Sequence, residues 1–268
     1  MVKTSGAVKM RVDFDFHIHT VFSDGSMSFE ELLTLLRDAG LSKCGITDHF
    51  ETGLSHSVAV TEAHYMDLFN RFKEKARKSG IEVLLGGETG LGPDGLMLPA
   101  RVPPFDFLIA SVHKVNGRHK SEFDYWREYR TYIERGIEKG GFQVLGHVEG
   151  YLPLMPLGAN GETFDERREI ERYYATKYLT LDWYASIAPA LIKSGVTVEI
   201  HEMSASPRLE VIDLLQRRGV KFSYGTDSHG PEQLLKREFI TRVLNCIGLN
   251  EADIFKPEER RGGTKCTL

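Results

Sequence analysis

The residues best suited to chemistry begin with Asp15-Phe16-His17-Ile18-His19-Thr20. His17 and His19 are two positions apart, so in an extended chain both imidazoles point to one face and can share a metal ion. Two ligands leave such a site half built, because an ion of the zinc type takes about four. Further candidates occupy the same kind of place. His49, His113, His147 and His229 each follow a short run that reads as a strand, as do the carboxylates Glu88, Asp48 beside His49, and Asp227 beside His229. The segment Gly225-Thr226-Asp227-Ser228-His229-Gly230 repeats the spacing of the opening pair. Glu88 leaves an apolar run into Gly-rich backbone, where a carboxylate needs a charged partner or water. Asp48 is either a ligand or a turn cap, and Asp24, in Ser23-Asp24-Gly25, is either a second-rank ligand or a turn residue. His56, His64, His119 and His201 are read as non-ligands, His201 least firmly because it too follows a strand.

The elements that must position these groups alternate along the chain. Val12 to Phe16 alternates apolar and acidic residues as in a half-buried strand. Ser28-Phe29-Glu30-Glu31 is a capping box, and the helix behind it stops at Gly40. A strand from Cys44 to Thr47 precedes Asp48. An amphipathic helix over Thr61 to Lys78 leads to a strand from Glu82 to Leu85. Gly90 to Pro104 is too rich in Gly and Pro for a helix. Strands follow over Phe105 to Val112, Phe142 to Leu145, Val196 to Ile200 and Lys221 to Tyr224. Between and after them come helices over Ser121 to Lys139, Leu209 to Arg218 and Pro231 to Ile247. A long apolar stripe from Ile170 to Ala188, behind a second capping box at Thr163 and Glu166, is interrupted near Pro189. Seven strands alternating with helices imply an α/β fold with a parallel sheet, and at 268 residues a closed, TIM-like (β/α)7 barrel in one domain. In such a barrel the strand ends meet on one face, which gathers the candidate residues. The expected boundaries are a tail over 1–10, a domain over 11–255 and a second tail over 256–268.

Composition narrows the partners. The net charge of −4 gives no general attraction to nucleic acid or an anionic membrane, so an anionic substrate needs a local positive site. Arg208, Lys114, Arg118 and Arg101 follow strands and could hold a phosphate, Arg in bidentate fashion, or could be solvated surface charge. No apolar run is long enough to span a bilayer. The small, polar start from Met1 to Lys9 and the three scattered cysteines, Cys44, Cys246 and Cys266, point to the cytoplasm. Nothing in the sequence sets the oligomeric state.

Taken in order, Asp15-Phe16-His17-Ile18-His19-Thr20, Ser23-Asp24-Gly25, Thr47-Asp48-His49, Glu88, Ser111-Val112-His113, Gly146-His147 and Gly225-Thr226-Asp227-Ser228-His229 resemble the polymerase and histidinol phosphatase (PHP) superfamily. The resemblance runs from about Arg11 to Gly230. It implies a distorted seven-stranded barrel and a trinuclear centre that hydrolyses phosphoesters. By resemblance, His17, His19, Glu88 and Asp227 hold one metal. Glu88 bridges to a second held by His113 and His147, and His49 and His229 hold the third, with Asp24. Imidazole and carboxylate suit zinc, manganese or iron alike. The implied chemistry is attack of a metal-bridging hydroxide on a small phosphate monoester, with Asp48 or His229 assisting proton transfer. Phe107-Leu108-Ile109-Ala110-Ser111-Val112-His113 and the Gly146-His147-Val148-Glu149 turn are similar to the histidinol phosphatase branch. His201 stands where that branch commonly has Asn, which leaves the substrate open. The alternatives are an amidohydrolase-type hydrolase of C–N or lactone bonds, a PHP nuclease, and a non-catalytic metal-binding module. An amidohydrolase would normally have eight strands, and a nuclease would show a basic stripe that this chain lacks.

Overall fold

A computed structural model describes residues 10–159 and 161–258. Residues 1–9 and 259–268 of the two expected tails, with Cys266, lie outside the described residues. The first strand, β1, spans Phe14–Ile18, and the helix α1 over Phe29–Asp38 brings the chain back to β2 over Lys43–Ile46. Next come α2 (Glu62–Lys78), β3 (Glu82–Gly92), β4 (Gly95–Leu96), β5 (Phe107–Ser111), α3 (Glu122–Lys139) and β6 (Val144–Leu145). The rest is α4 (Phe164–Tyr178), α5 (Leu181–Ser194), β7 (Thr197–His201), α6 (Leu209–Arg217), β8 (Phe222–Gly225), α7 (Pro231–Leu234) and α8 (Glu238–Ile247). Seven strands pair in the order β1-β2-β3-β5-β6-β7-β8, each pair parallel, while β4 turns back antiparallel on the end of β3.

The two ends of this sheet meet. His19 N–H donates to the Ser228 carbonyl at 3.0 Å, and Ser228 N–H donates to the His17 carbonyl at 3.3 Å. The result is a nearly closed barrel, as the alternation of strands and helices implies. Its interior is packed around large rings: Phe107 meets Phe16 edge to face at 6.1 Å between centroids. A Cβ at Gly45 or Gly86 would come within 2.4 or 2.7 Å of the Phe107 ring, so bare backbone there makes the space that the ring fills. Gly86 lies two residues before Glu88 on the same strand face, so this ring sits one layer below the candidate site.

Four details differ from the sequence pattern, each for a physical reason. β1 is buried throughout rather than half-buried, and the Asp15 carboxylate is tolerated there because it accepts bonds from Thr226 N–H (3.0 Å) and Oγ1 (2.7 Å). β3 continues through Gly86 and Gly87 to Gly92, because its first half pairs with β2 and its second half with β5; Glu88 therefore lies inside the strand. The long stripe after Thr163 breaks at Leu179 and Thr180, where the Thr180 side chain accepts the Trp183 N–H and starts α5, and Pro189 lies within that helix. The last helical segment divides into α7 and α8 because the Glu202 carboxylate accepts the N–H groups of Phe239 (2.7 Å) and Ile240 (3.0 Å). Those orphan donors of the first turn are satisfied by a residue far away in sequence. Both expected capping boxes, Ser28 with Glu31 and Thr163 with Glu166, are formed.

Candidate metal centre

Strand ends deliver the candidate ligands to one mouth of the barrel. His17 Nε2 and His19 Nε2 lie 3.1 Å apart. Glu88 Oε2 is 3.2 Å from the first and 3.3 Å from the second, and Asp227 Oδ1 is 3.3 and 3.1 Å from the same two atoms. Ligand atoms about 2.0–2.2 Å from one ion stand roughly 3.0–3.6 Å apart, the lower end octahedral and the upper tetrahedral. The spacing of these four donors fits a shared cation. Asp227 Oδ1 and His49 Nδ1 are buried and have no hydrogen-bond partner, which a bound cation would supply.

Glu88 joins this set to a second. Its Oε1 accepts a bond from Ser111 Oγ at 2.7 Å and lies 3.2 Å from His113 Nε2 and 2.9 Å from His147 Nε2. His49 Nδ1 is 3.3 Å from Glu88 Oε2, so His49, Glu88 and His113 form a further group of potential donors. A third group gathers around Asp24: His229 Nε2 is 3.2 Å from its Oδ1, His19 Nδ1 3.6 Å from Oδ1, and His49 Nε2 3.6 Å from Oδ2. His19 and His49 thus each lie between two groups, one ring nitrogen toward each.

Local folding explains these positions. The β2–β3 ladder runs on past β2 through Phe50 N–H to the Glu88 carbonyl (2.8 Å) and Glu88 N–H to the Asp48 carbonyl (3.1 Å), which fixes His49 beside Glu88. His147 and Asp227 take positive φ values of 22° and 56°, uncommon for residues with side chains. The His147 turn is held by its N–H donating to Glu199 Oε2 at 2.8 Å. At Gly225 a Cβ would come within 2.3 Å of His17 Cβ and 2.5 Å of Glu199 Oε1, so glycine lets β8 approach the pair closely.

The electrostatics follow from burial of three carboxylates among imidazoles. Burial alone would push the His17 imidazolium down, but Glu199, Asp227 and Glu88 outweigh it and hold its pKa well above the usual value. Burial is likewise overcome at His19, raised to about 9 by Asp227 and Glu88, and at His113, raised to about 10 by Glu88 and Glu51. Glu88 and Asp227 stay well below the carboxylate range, since neighbouring histidines outweigh their burial. His49 goes the other way, lowered chiefly by burial. The cluster keeps its carboxylates ionised and attracts cations, protons or metals alike.

Other sequence-based candidates are placed differently. Asp48 accepts four hydrogen bonds, from Thr20 N–H (2.7 Å), Thr20 Oγ1 (2.8 Å), Ser23 Oγ (2.7 Å) and Tyr65 Oη (2.8 Å). An ionised carboxylate has about four lone-pair sites, so Asp48 has none left for a ligand or a substrate proton. It braces the loop after β1. Arg208 is also paired: its Nη2 donates to the Leu179 carbonyl and lies 3.2 Å from Glu149, and its Nε is 3.3 Å from Glu210, while Nη1 is buried without a hydrogen-bond partner. Arg118 is exposed on a groove it shares with Lys120, Arg127 and Arg135, away from the cluster. Lys114, exposed and next to His113, stays near the mouth, and Arg101 is exposed. His229 donates from Nδ1 to the Asp227 carbonyl (3.0 Å) while its Nε2 faces Asp24, so both nitrogens are engaged and ligation suits it better than proton transfer.

Three residues stand behind the cluster, in supporting roles that the motifs do not state. Glu199 Oε1 is 2.7 Å from His17 Nδ1, and Glu51 Oε2 is 2.6 Å from His113 Nδ1; each carboxylate fixes the tautomer that turns Nε2 toward the cluster. The available signal is a charge inside an apolar strand, Val198-Glu199-Ile200, and the two-residue step from His49 to Glu51. His201 is fully buried, with Nε2 3.0 Å from Asp227 Oδ2. Its Nδ1 accepts the Ser204 N–H at 3.1 Å, so the ring proton is on Nε2 and donates to Asp227. His201 thus orients a candidate ligand from behind.

A parallel barrel with a buried histidine and carboxylate cluster at its strand ends defines a metal-binding barrel protein. The sequence of residues 15–202 matches the PHP domain family, and the chain belongs to that family. The last motif, around Asp227 and His229, lies beyond the matched segment and joins the site through the β1–β8 closure. Among solved structures, histidinol phosphate phosphatase from Lactococcus lactis subsp. lactis, complexed with zinc, L-histidinol and phosphate, is similar at a TM-score of 0.63 with 19% identity, covering 89% of this chain and 94% of that one. The hisK protein of Listeria monocytogenes is similar at a TM-score of 0.60 with 15% identity, covering 85% and 99%. At these identities the likeness is one of fold. None of the curated proteins compared with the chain matches it.

Proposed function

We propose that the chain is a metal-dependent phosphoesterase that hydrolyses a small phosphate monoester, histidinol phosphate or another phosphorylated metabolite. The observation that carries this reading is the three overlapping donor groups, joined through Glu88, His19 and His49, at the mouth of a PHP barrel. In this reading His17, His19, Glu88 and Asp227 hold one divalent ion. Glu88 reaches a second with His113 and His147, and Asp24, His49 and His229 hold a third. Bound there, the ions would lower the pKa of water and neutralise phosphoryl oxygens, as hydrolysis of a slow-reacting monoester requires.

The chain's own residues do the rest. Glu199 and Glu51 accept the Nδ1 protons of His17 and His113, and the His201 Nε2 proton holds Asp227. In this reading Lys114, exposed and next to His113 in the chain, is a cation for an incoming phosphate. Zinc is the first metal to test, since the Lactococcus structure was obtained with it, and manganese and iron suit the same ligands. The catalytic domain extends over residues 11–255. No helix among the described residues is long and apolar enough to cross a membrane, and the unpaired Cys44 and Cys246 fit a reducing compartment, hence the cytoplasm.

The test is a panel of phosphorylated metabolites, with amides and lactones alongside, run on protein whose metal content is measured in the same sample. Phosphoester turnover that chelation abolishes and divalent metal restores is expected. Full activity in metal-free protein, or turnover of amides alone, would overturn the reading.

A further inference from the structure

His56 lies outside every motif described above, in the loop between β2 and α2. That loop is built, not loose: Glu51 N–H donates to Ser57 Oγ (3.0 Å), Ser57 Oγ donates to the His49 carbonyl (3.0 Å), and Val58 N–H donates to the same carbonyl (2.8 Å). The chain is thereby folded back on itself, and the His56 ring packs edge-on against His49 with centroids 4.9 Å apart. His56 Nε2 comes to 3.4 Å from Asp24 Oδ2. His49 Nε2 faces that same oxygen at 3.6 Å. Both separations are too long for good hydrogen bonds. Both fall in the roughly 3.0–3.6 Å range expected between neighbouring ligands of one ion.

We propose that His56 is a further ligand of the outermost metal position, with Asp24, His49 and His229, and that it yields its place to a substrate oxygen. This rests on the metal-dependent reading above. His19, though its Nδ1 also faces Asp24, gives its Nε2 to the first position, and a neutral imidazole has one acceptor nitrogen. Asp24, His49 and His229 are then three protein ligands, which leave a catalytic ion one open position that a fourth closes in the absence of substrate. Of the four, His56 is the most open to solvent, with its side chain 41% exposed against 7% for His49, 27% for Asp24 and 30% for His229. It also stands on a loop rather than at a strand end. It is the ligand that can leave without disturbing the barrel.

The test is a titration of metal-free wild type, His56→Ala and His64→Ala with zinc against a competing chelator, followed by binding of inorganic phosphate to the loaded proteins. His64 is exposed on α2 and serves as the control. Three equivalents are expected in wild type and His64→Ala, with one of them weakened at least tenfold in His56→Ala and the other two unchanged. Phosphate is expected to bind the loaded His56→Ala protein more tightly, because no side chain has to be displaced. An unchanged third equivalent in His56→Ala overturns the ligand assignment, and weaker or equal phosphate binding overturns the displacement. Wild type that binds no metal overturns the phosphoesterase reading instead, so the two failures are distinguishable.

Discussion

Replacing Glu199 with Gln isolates the part of the site that no metal touches. The Glu199 carboxylate is buried and accepts two bonds: Oε1 from His17 Nδ1 at 2.7 Å, and Oε2 from His147 N–H at 2.8 Å. An amide of the same shape accepts on one side only. If its oxygen faces His147 N–H, its NH2 group meets His17 Nδ1, and the ring must move its proton to Nε2, the atom needed for metal. If its oxygen faces His17, the NH2 group meets the His147 N–H, and one buried donor is left unsatisfied at about 1–3 kcal/mol. Loss of a carboxylate behind a metal-bound histidine weakens metal binding about 10–100-fold, which is about 1.4–2.8 kcal/mol. The assay is competition of the metal-free proteins with a chelator for zinc, read by metal content, with thermal unfolding measured alongside. Glu199→Gln is expected to lose that affinity in the position shared by His17, His19, Glu88 and Asp227. Affinity within about threefold of wild type, less than the lower bound of that range, would refute the reasoning.

His201 makes a second, graded case. His201→Ala removes the donor to Asp227 and the acceptor for Ser204 N–H, so two buried groups lose partners at about 1–3 kcal/mol each, with a matching fall in Tm. His201→Asn keeps a donor near Asp227 and is expected to retain more metal and stability; equal losses in the two variants would count against the orienting role. The histidine shifts also set a pH dependence. In the metal-free protein His19 titrates at about 9 and His113 at about 10, against about 6.5 in the unfolded chain. Their stabilisation is full below about pH 6.5 and is lost as pH rises through 9 to 10. Metal competes with protons for these nitrogens and binds better as pH rises. The Tm of metal-free protein should therefore fall from pH 7 to 10 while its gap to metal-loaded protein widens, and parallel curves would contradict the assignment.

What the sequence makes legible, and what it hides, divides along one line. The strand-end histidines show because a ligand pair needs a fixed local spacing, and alternating elements carry each pair to one mouth. Hence His17 with His19, and Asp227 with His229, mark the site in the sequence itself. What is hidden depends on partners far apart in the chain. Asp48 has the type and position of a ligand, yet the loop after β1 claims all its lone pairs. Arg208 has the charge for a phosphate, but Glu149, 59 residues earlier, holds it. Glu199 looks like an anomaly inside an apolar strand until β1 is closed against β8, when it becomes the support of His17, 182 residues away.

The same distinction bears on how the site is assembled. Asp15 binds Thr226 and Asp48 binds Thr20, so two carboxylates that could have been ligands instead hold the strand ends on which ligands stand. Each makes bonds to a backbone N–H and to the hydroxyl of the same threonine, which fixes both position and rotation of the chain there. Asp15 acts at the barrel closure, where β1 and β8 meet through only a short bridge. Closure is therefore not incidental to the centre: His17 and His19 come from one side of that seam and Asp227 from the other. Their shared spacing of about 3 Å is kept by hydrogen bonds made without any metal. A cluster of carboxylates and imidazoles left to itself would relax apart or collapse onto protons. The clamp at the seam keeps three of the four donors, His17, His19 and Asp227, facing one point, and the backbone bonds between Glu88 and Asp48 and Phe50 bring the fourth to it.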